Sequence, residues 1–217
     1  MKTTGAPFDC DREGNGVAVA AVLLAAGVAR RMGRCGSHKL LAEFDGTPLV
    51  RRSAIVALQA RVSSVTVVTG HRHADIIAAL DGLDLRYAQN RDYASGVATS
   101  LITGFMTDEA KRADGVLIIN ADMPRITSED LDTLIEAFCR SQGRAIVCSA
   151  ARGRRGNPAV LPRSLYDNIL GLQGDVGAQH LIETSGIGVI EINFDEETLS
   201  DVNTPEAILA AGGILGR

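Results

Sequence analysis

The stretch that decides the fold reads Val17-Ala-Val-Ala-Ala-Val-Leu-Leu24 and continues as Ala25-Ala-Gly-Val-Ala-Arg-Arg-Met-Gly33. Its first part is a continuous apolar run, which is typical of a strand buried on both faces of a parallel sheet. Its second part combines glycines with arginines, and such a loop can turn tightly and bring backbone N–H groups to an anion. We therefore predict a buried strand followed by an anion-binding loop, with a solvated basic loop as the alternative.

Strands and helices alternate from this stretch to about residue 150, and shorter elements follow. The predicted strands in this region are 17–24, 64–69, 84–88, 115–120 and 145–149. The predicted helices are 48–60, 74–80, 98–110 and 129–140. This alternation indicates an α/β fold with a mostly parallel sheet, in which ligands bind at the carboxyl ends of the strands. We predict one domain over residues 17–217, preceded by a frayed tail at residues 1–16.

Composition argues against several function classes for this chain of 217 residues. The formal net charge of −4 and the aromatic content of 4% are unlike those of a nucleic-acid binder. No apolar run approaches the roughly 20 residues that span a bilayer, and residues 1–16 lack the pattern of a signal peptide. The four cysteines form no C-x-x-C pair and no zinc spacing, so we expect free thiols. We expect a cytoplasmic protein that contacts no membrane.

Polar side chains near the predicted strand ends point to phosphate and metal chemistry. Arg31 and Lys39 can neutralise a polyphosphate, although the Gly-Lys-Ser/Thr sequence of a Walker A loop is absent. Asp122 directly follows a buried strand, where a carboxylate can hold Mg²⁺ or serve as a turn residue. Asp201 and Asn203 precede the last helix, and they can supply metal ligands, cap that helix, or do both.

A series of motifs in a characteristic order gives the chain a family resemblance. The motifs are Leu24-Ala-Ala-Gly-x-x-x-Arg-Met-Gly33 followed by Lys39, Gly96-x-x-x-Ser100-Leu101, Ala121-Asp-Met-Pro124, Gly156-Asn-Pro158, Leu172-x-Gly-Asp-x-Gly-Ala178 and Asp201-x-Asn-Thr-Pro-Glu206. Together they resemble the Rossmann-like nucleotidyltransferases, and more narrowly the molybdenum-cofactor cytidylyltransferase branch of the MobA-like NTP transferases. This resemblance implies a three-layer α/β/α nucleotidyltransferase fold around a mostly parallel central sheet.

The resemblance also implies roles for individual residues. Arg31, Lys39 and Asp122 would be catalytic, and Asp122 would bind Mg²⁺ together with Asn203 or Asp201. The nucleotide-binding residues would be Leu24, Ala25, Ala26, Gly27, Arg31, Gly33, Lys39, Gly96, Ser100, Asn120 and Ala121. The acceptor-binding residues would be Asn157, Pro158, Gly174 and Asp175.

The reaction implied by the resemblance is Mg²⁺-dependent transfer of CMP from CTP to the phosphate of molybdopterin, with release of pyrophosphate. Ala26 stands where the guanylyltransferases of this family carry a second glycine, which favours CTP. A molybdoenzyme would receive the product, and neither nucleic acid nor a membrane would take part. Ala29, Gln179 and Asn203 depart from the family pattern. Two alternatives therefore stay open, namely the same chemistry with a sugar phosphate or alcohol phosphate, and a non-catalytic carrier of the molybdenum cofactor.

Overall fold

The computed structural model describes residues 16–32 and 38–215, and a seven-stranded sheet organises this part of the chain. The strands are β1 (Val19–Ala25), β2 (Ser64–Thr69), β3 (Arg86–Gln89), β4 (Gly115–Asn120), β5 (Ile146–Ala151), β6 (Arg154–Pro162) and β7 (Val189–Asn193). Their order across the sheet is β3-β2-β1-β4-β6-β5-β7. β6 runs antiparallel to its neighbours β4 and β5, while the other pairs are parallel. The predicted mostly parallel sheet is confirmed.

Helices cover both faces of this sheet. They are α1 (Leu49–Gln59), α2 (His73–Ala79), α3 (Val97–Phe105), α4 (Asp108–Arg112), α5 (Ser128–Arg140), α6 (Tyr166–Leu170), α7 (Ala178–Thr184) and α8 (Pro205–Ala210). One apolar cluster joins α1, α2, α5 and α8 to one face, and a second joins α3, α4, α6 and α7 to the other. The three-layer α/β/α architecture is therefore confirmed.

Local sequence signals explain several helix boundaries. The Thr127 side chain caps α5, and the Thr204 side chain caps α8. The single helix predicted over residues 98–110 is wrong, because this segment contains the two helices α3 and α4. Thr107 lies between them in an extended conformation, and its hydroxyl accepts a hydrogen bond from the Ala110 N–H at the start of α4. Thr107 therefore separates α3 from α4 and caps the N-terminus of α4.

The strands β1, β2 and β4 end at the same edge of the sheet, and this edge positions the site. Leu24 in β1 lies opposite Val68 in β2 and Asn120 in β4. The antiparallel β6 starts near this edge, where the Asn157 side-chain amide donates a hydrogen bond to Oδ1 of Asn120 at 3.1 Å. Segments that follow β1, β2 and β4 in the sequence therefore meet above β1 and β4.

Predictions about the chain as a whole have different outcomes. The tail predicted at residues 1–16 lies outside the described residues except for Gly16, and the single domain over residues 17–217 stays a prediction. Cys148 is a buried free thiol as expected, whereas Cys139 is disulfide-bonded, so the expectation of free thiols is wrong for Cys139. Among the described helices, none combines the length and the apolar character needed to cross a membrane.

Candidate active site

A cleft of about 400 Å³ opens above the carboxyl ends of β1 and β4. Its lining includes most of the residues that the sequence assigned to the site, which are Leu24, Ala26, Gly27, Arg31, Lys39, Gly96, Ser100, Asn120, Asp122, Asp175 and Asn203. The fold thus gathers residues from both ends of the chain around one volume. Their individual roles stay predictions, which the geometry described below can sharpen.

Some assigned residues lie beneath or beside the cleft. Ala25 and Ala121 are buried in the apolar cluster on the α1 face of the sheet, so only their backbone atoms can approach a ligand in the cleft. Gly33 lies outside the described residues. Asn157 reaches the cleft through its hydrogen bond to Asn120 rather than by lining it.

Sequence reasoning missed part of the cleft lining. The residues concerned are Val28, Ala29, Leu40, Tyr93, Ala94 and Val97. All of them belong to segments that follow β1 or β3, so their position after a strand was the available signal. Apart from Tyr93, which carries a phenol hydroxyl, these residues have apolar or small side chains with no hydrogen-bonding or titratable group, so no motif marks them in the sequence.

The loop after β1 presents its backbone to the cleft. Among the described residues, no atom lies within 4 Å of the position that a Cβ on Gly27 would occupy, so open space adjoins this residue in that part of the chain. Ala29 adopts a left-handed conformation with φ of 52°. The Val28 N–H donates to no acceptor in the described part of the chain. Because Arg31 is exposed and lines the same cleft, the loop combines a free backbone donor with a positive charge, as an oxyanion requires.

Lys39 connects the two segments that were predicted to bind metal. It lies on a short 3₁₀ turn, Lys39–Leu41, and its Nζ donates hydrogen bonds to Oδ2 of Asp122 and to Oδ1 of Asn203, the latter at 2.7 Å. The side chains of Lys39 and Asp122 are each 13% exposed, so this ion pair is partly shielded from water. Asn203 in turn donates from Nδ2 to Oδ2 of Asp201. Asp201 therefore orients the Asn203 amide, whose oxygen faces the cleft.

The oxygen atoms in this cluster fit a divalent cation. Oδ1 of Asp122 is buried and has no hydrogen-bond partner in the described residues, which is costly for a carboxylate oxygen unless a cation or donor reaches it. The described residues contain no group of three or more His, Cys, Asp or Glu side chains suited to a metal. A hard cation here would therefore take Asp122, the amide oxygen of Asn203 and oxygens of a bound phosphate.

A buried asparagine organises the opposite wall of the cleft. Asn90 is 3% exposed, and its Nδ2 donates to Oγ1 of Thr99 at 2.9 Å and to Oγ of Ser100 at 3.0 Å. Its Oδ1 accepts from the Asp92 N–H at 2.9 Å, which shapes the loop that leads to Gly96. The sequence analysis did not assign Asn90 to the site. Its role depends on partners that only the fold brings within reach.

Gly96, which is predicted to bind the nucleotide, contacts Gly174, which is predicted to bind the acceptor. Gly96 has φ of 118°, and a Cβ at this position would lie 2.2 Å from the backbone C and O of Gly174. The Ala98 N–H donates to the Gly174 carbonyl at 3.1 Å, and Asp175 lines the cleft just beyond this contact. On the other side, the peptide bond between Asn157 and Pro158 is cis. Of the predicted acceptor residues, Asp175 lines the cleft, and Asn157 contacts the lining residue Asn120.

Curated proteins of similar sequence include several metabolic enzymes and related proteins. The chain is 30% identical over 194 residues to purine catabolism protein PucB of Bacillus subtilis, which covers 85% of this chain and 91% of that protein. It is 28% identical over 195 residues to nicotine blue oxidoreductase of Paenarthrobacter nicotinovorans, covering 87% and 93%. It is 27% identical over 194 residues to molybdenum cofactor guanylyltransferase of Pseudomonas aeruginosa, covering 86% and 91%.

Solved structures and a family model complete the comparison. A nucleotidyl transferase from Methanothermobacter superposes with a TM-score of 0.76 at 24% identity, covering 92% of this chain and 97% of that chain. A manganese complex of Rv0371c from Mycobacterium tuberculosis superposes with a TM-score of 0.69 at 22% identity, covering 90% and 98%. At these identities the superpositions establish the fold alone. The MobA-like NTP transferase domain matches residues 21–189, so the chain belongs to this family and is a nucleotidyltransferase.

Proposed function

We propose that the chain transfers CMP from CTP to the phosphate of molybdopterin or of the molybdenum cofactor, with Mg²⁺ as its metal ion and pyrophosphate as the second product. One observation carries this proposal: Gly27 and Val28, in the loop after β1, line the same cleft as Lys39 and Asp122. The dinucleotide product would then pass to a molybdoenzyme.

The loop after β1 would hold the triphosphate of the nucleotide. Val28 offers a backbone N–H that has no acceptor within residues 16–32 and 38–215, and the side chains of Arg31 and Lys39 offer positive charge. An oxygen of the acceptor phosphate would attack the α-phosphorus, and the bond from that phosphorus to the oxygen bridging to the β-phosphate would break. Such transfers need little acid–base assistance, because positioning and neutralisation of charge lower most of the barrier.

Asp122 and Asn203 would hold the metal ion. When bound, Mg²⁺ would neutralise negative charge on the phosphate oxygens of the nucleotide. Lys39 reaches both of these residues, so its ammonium group acts on the same region of the triphosphate. Asp201 would act behind Asn203 by holding its amide, because its carboxylate accepts from the Asn203 NH₂ group.

The base and the acceptor would lie on opposite sides of this phosphate centre. Ala26, Ser100 and Asn120 line the part of the cleft assigned to the nucleotide, and Ala26 supports CTP over GTP through the family pattern given above. Asp175 and Asn157 border the part assigned to the acceptor. The guanylyltransferase relative supports a molybdenum-cofactor acceptor, whereas the other two relatives carry names from different metabolism. The acceptor is therefore the point that experiment must decide.

An assay of pyrophosphate release tests this proposal. The wild-type protein should release pyrophosphate from CTP in preference to GTP and ATP, and only with both Mg²⁺ and molybdopterin present. Asp122→Asn should lower this rate at least about 100-fold, since a bound metal ion lowers the barrier by several kcal/mol and the variant holds it less well. Asp84→Asn is the matched control, because the Asp84 side chain is 98% exposed and lies outside the cleft.

Each alternative gives a different result in the same assay. Turnover with a sugar phosphate or an alcohol phosphate, but not with molybdopterin, would replace the acceptor and keep the chemistry. Tight binding of the molybdenum cofactor without nucleotide consumption would identify a carrier and refute the proposal. Normal turnover by Asp122→Asn would refute the metal assignment.

A further inference from the structure

His38 is a buried side chain that touches the anion-binding loop and has no role in the chemistry described above. It is 3% exposed and immediately precedes the 3₁₀ turn that carries Lys39. Its Nε2 lies 3.1 Å from the carbonyl oxygen of Gly27, and its Nδ1 lies 3.4 Å from the backbone nitrogen of Leu40. The imidazole thus joins the loop after β1 to the turn that supplies the lysine.

The two contacts determine which ring nitrogen carries the proton. The Leu40 N–H is a donor, so Nδ1 must accept and carries no proton. The Gly27 carbonyl is an acceptor, so Nε2 must carry the proton and donate it. The neutral Nε2–H tautomer of His38 therefore satisfies both partners, whereas a doubly protonated ring would face the Leu40 N–H with a second donor.

The surroundings of His38 favour this neutral form. Burial lowers the pKa of His38, and the neighbouring His71, Arg72 and Lys39 lower it further, while the hydrogen bond with Gly27 acts in the opposite direction. The ring of His71 stacks on His38 with centroids 5.4 Å apart. Within residues 16–32 and 38–215, no acidic side chain shifts the pKa of His38, so in this part of the chain only the Gly27 carbonyl favours the imidazolium.

Holding the Gly27 carbonyl orients the next peptide group. In a trans peptide the C=O of one residue and the N–H of the next point in opposite directions. The Gly27 carbonyl points to His38, so the Val28 N–H points away from His38. That N–H has no acceptor among the described residues, and Val28 lines the cleft.

We infer that His38 is a positioning residue for the triphosphate: its Nε2–H holds the Gly27 carbonyl so that the Val28 N–H stays available to a phosphate oxygen, while its Nδ1 caps the turn that carries Lys39. This inference rests on the proposed nucleotidyl transfer, since it assigns the anion to the same cleft. It adds a residue that acts through the backbone and touches neither the nucleotide nor the metal.

Two substitutions separate the two hydrogen bonds of His38. An asparagine places an amide oxygen near the position of Nδ1, so His38→Asn keeps the cap on Leu40 and loses the donor to Gly27. A glutamine places an amide nitrogen near the position of Nε2, so His38→Gln keeps the donor to Gly27. His180→Asn is the control, because His180 is exposed on α7 and does not line the cleft.

Calorimetric titration with CTP and Mg²⁺, together with the amide NMR signal of Val28, tests the inference. We expect His38→Asn to bind CTP roughly tenfold more weakly, because a hydrogen bond from backbone to a charged phosphate is lost. His38→Gln and His180→Asn should bind within about threefold of wild type. CTP should shift the Val28 amide signal strongly in wild type and in His38→Gln, and much less in His38→Asn.

The outcomes separate this inference from the proposed function. Wild-type protein that binds CTP while its Val28 amide signal stays unchanged would overturn the role of His38 and leave nucleotidyl transfer in place. Unchanged affinity in a folded His38→Asn would do the same. Wild-type protein that binds no nucleoside triphosphate would overturn both. The Val28 signal is read in wild type, so the test stands even where a His38 variant does not fold.

Discussion

Gly27→Ala is expected to separate binding from stability, because the space beside Gly27 belongs to the cleft and not to the protein core. A Cβ at Gly27 would meet no atom of residues 16–32 or 38–215 within 4 Å, and the backbone there is not in the left-handed region that favours glycine. The added methyl group therefore causes no clash in the unliganded protein. Replacing glycine under these conditions reduces the entropy of the unfolded chain, which raises the free energy of unfolding by about 0.4–1 kcal/mol.

Nucleotide binding should change in the opposite direction. If the triphosphate lies against this loop, the new methyl group occupies the space that a phosphate needs to reach the Val28 N–H. A hydrogen bond to a charged group contributes about 1.5–3 kcal/mol, so the loss of one weakens CTP binding roughly 10- to 150-fold. The variant would therefore be more stable than wild type and a poorer binder.

Urea denaturation and calorimetric titration with CTP and Mg²⁺ measure the two effects. Gly188→Ala is the matched control. A Cβ at Gly188 would also meet no described atom within 4 Å, and the backbone there is not left-handed. Gly188 precedes β7, which lies at the edge of the sheet. It should show the same gain in stability with unchanged CTP affinity. Full CTP affinity in Gly27→Ala would refute the placement of the triphosphate against this loop. A lower free energy of unfolding would refute the claim that a methyl group fits beside Gly27 without a clash.

Three further substitutions test separate features. Gly96→Ala should lower the free energy of unfolding by about 2–4 kcal/mol in urea denaturation, because its Cβ would overlap the Gly174 backbone at a left-handed position; an unchanged midpoint would contradict this. Burial raises the pKa of the Cys148 thiol to about 11 from 9.0, so unfolding releases a proton above pH 9 and stability falls between about pH 9 and 11; Cys148→Ala should flatten this part of the measured pH profile. Asn203→Asp should tighten Mg²⁺ binding to the nucleotide-free protein in calorimetry, and unchanged or weaker binding would exclude Asn203 as a ligand.

The fold could be predicted where the sequence pattern is compatible with only one type of secondary structure. The strands at 64–69 and 115–120 are short segments rich in Val, Ile, Leu and Thr, a composition typical of buried strands, and the structure has them at the same residues. The prediction of one helix over 98–110 was wrong because apolar residues continue at helical spacing through the break at Thr107. A threonine that caps a helix cannot be distinguished, from its identity alone, from a threonine inside a helix. The strand β6 begins at Arg154, four residues before its apolar part, because hairpin pairing with β5 extends it over polar residues.

The candidate site divides in a similar way. Residues directly after strands were identified, because parallel strands bring their carboxyl ends to one edge. Neighbouring residues of one motif can have side chains on opposite faces of the sheet, because side chains alternate along a strand. Leu24 and Ala26 therefore face the cleft, while Ala25 packs in the apolar cluster that includes α1. His38 and Asn90 escaped notice because their meaning lies in partners distant in the sequence, and a lone polar residue carries no sign of its partner.

Asn203 limits the net negative charge of the cluster that it forms with Lys39, Asp122 and Asp201. The side chains of Asp122, Asp201 and Lys39 together carry one net negative charge, and the neutral Asn203 amide links them by donating to Asp201 and accepting from Lys39. An aspartate at this position could not donate to Asp201, and it would raise the net charge of the cluster to −2. A divalent cation meets less negative charge in the natural cluster than it would in that variant, so the oxygens of a triphosphate must supply the remainder. The metal would therefore bind best together with the nucleotide, and Asn203→Asp should remove part of that dependence.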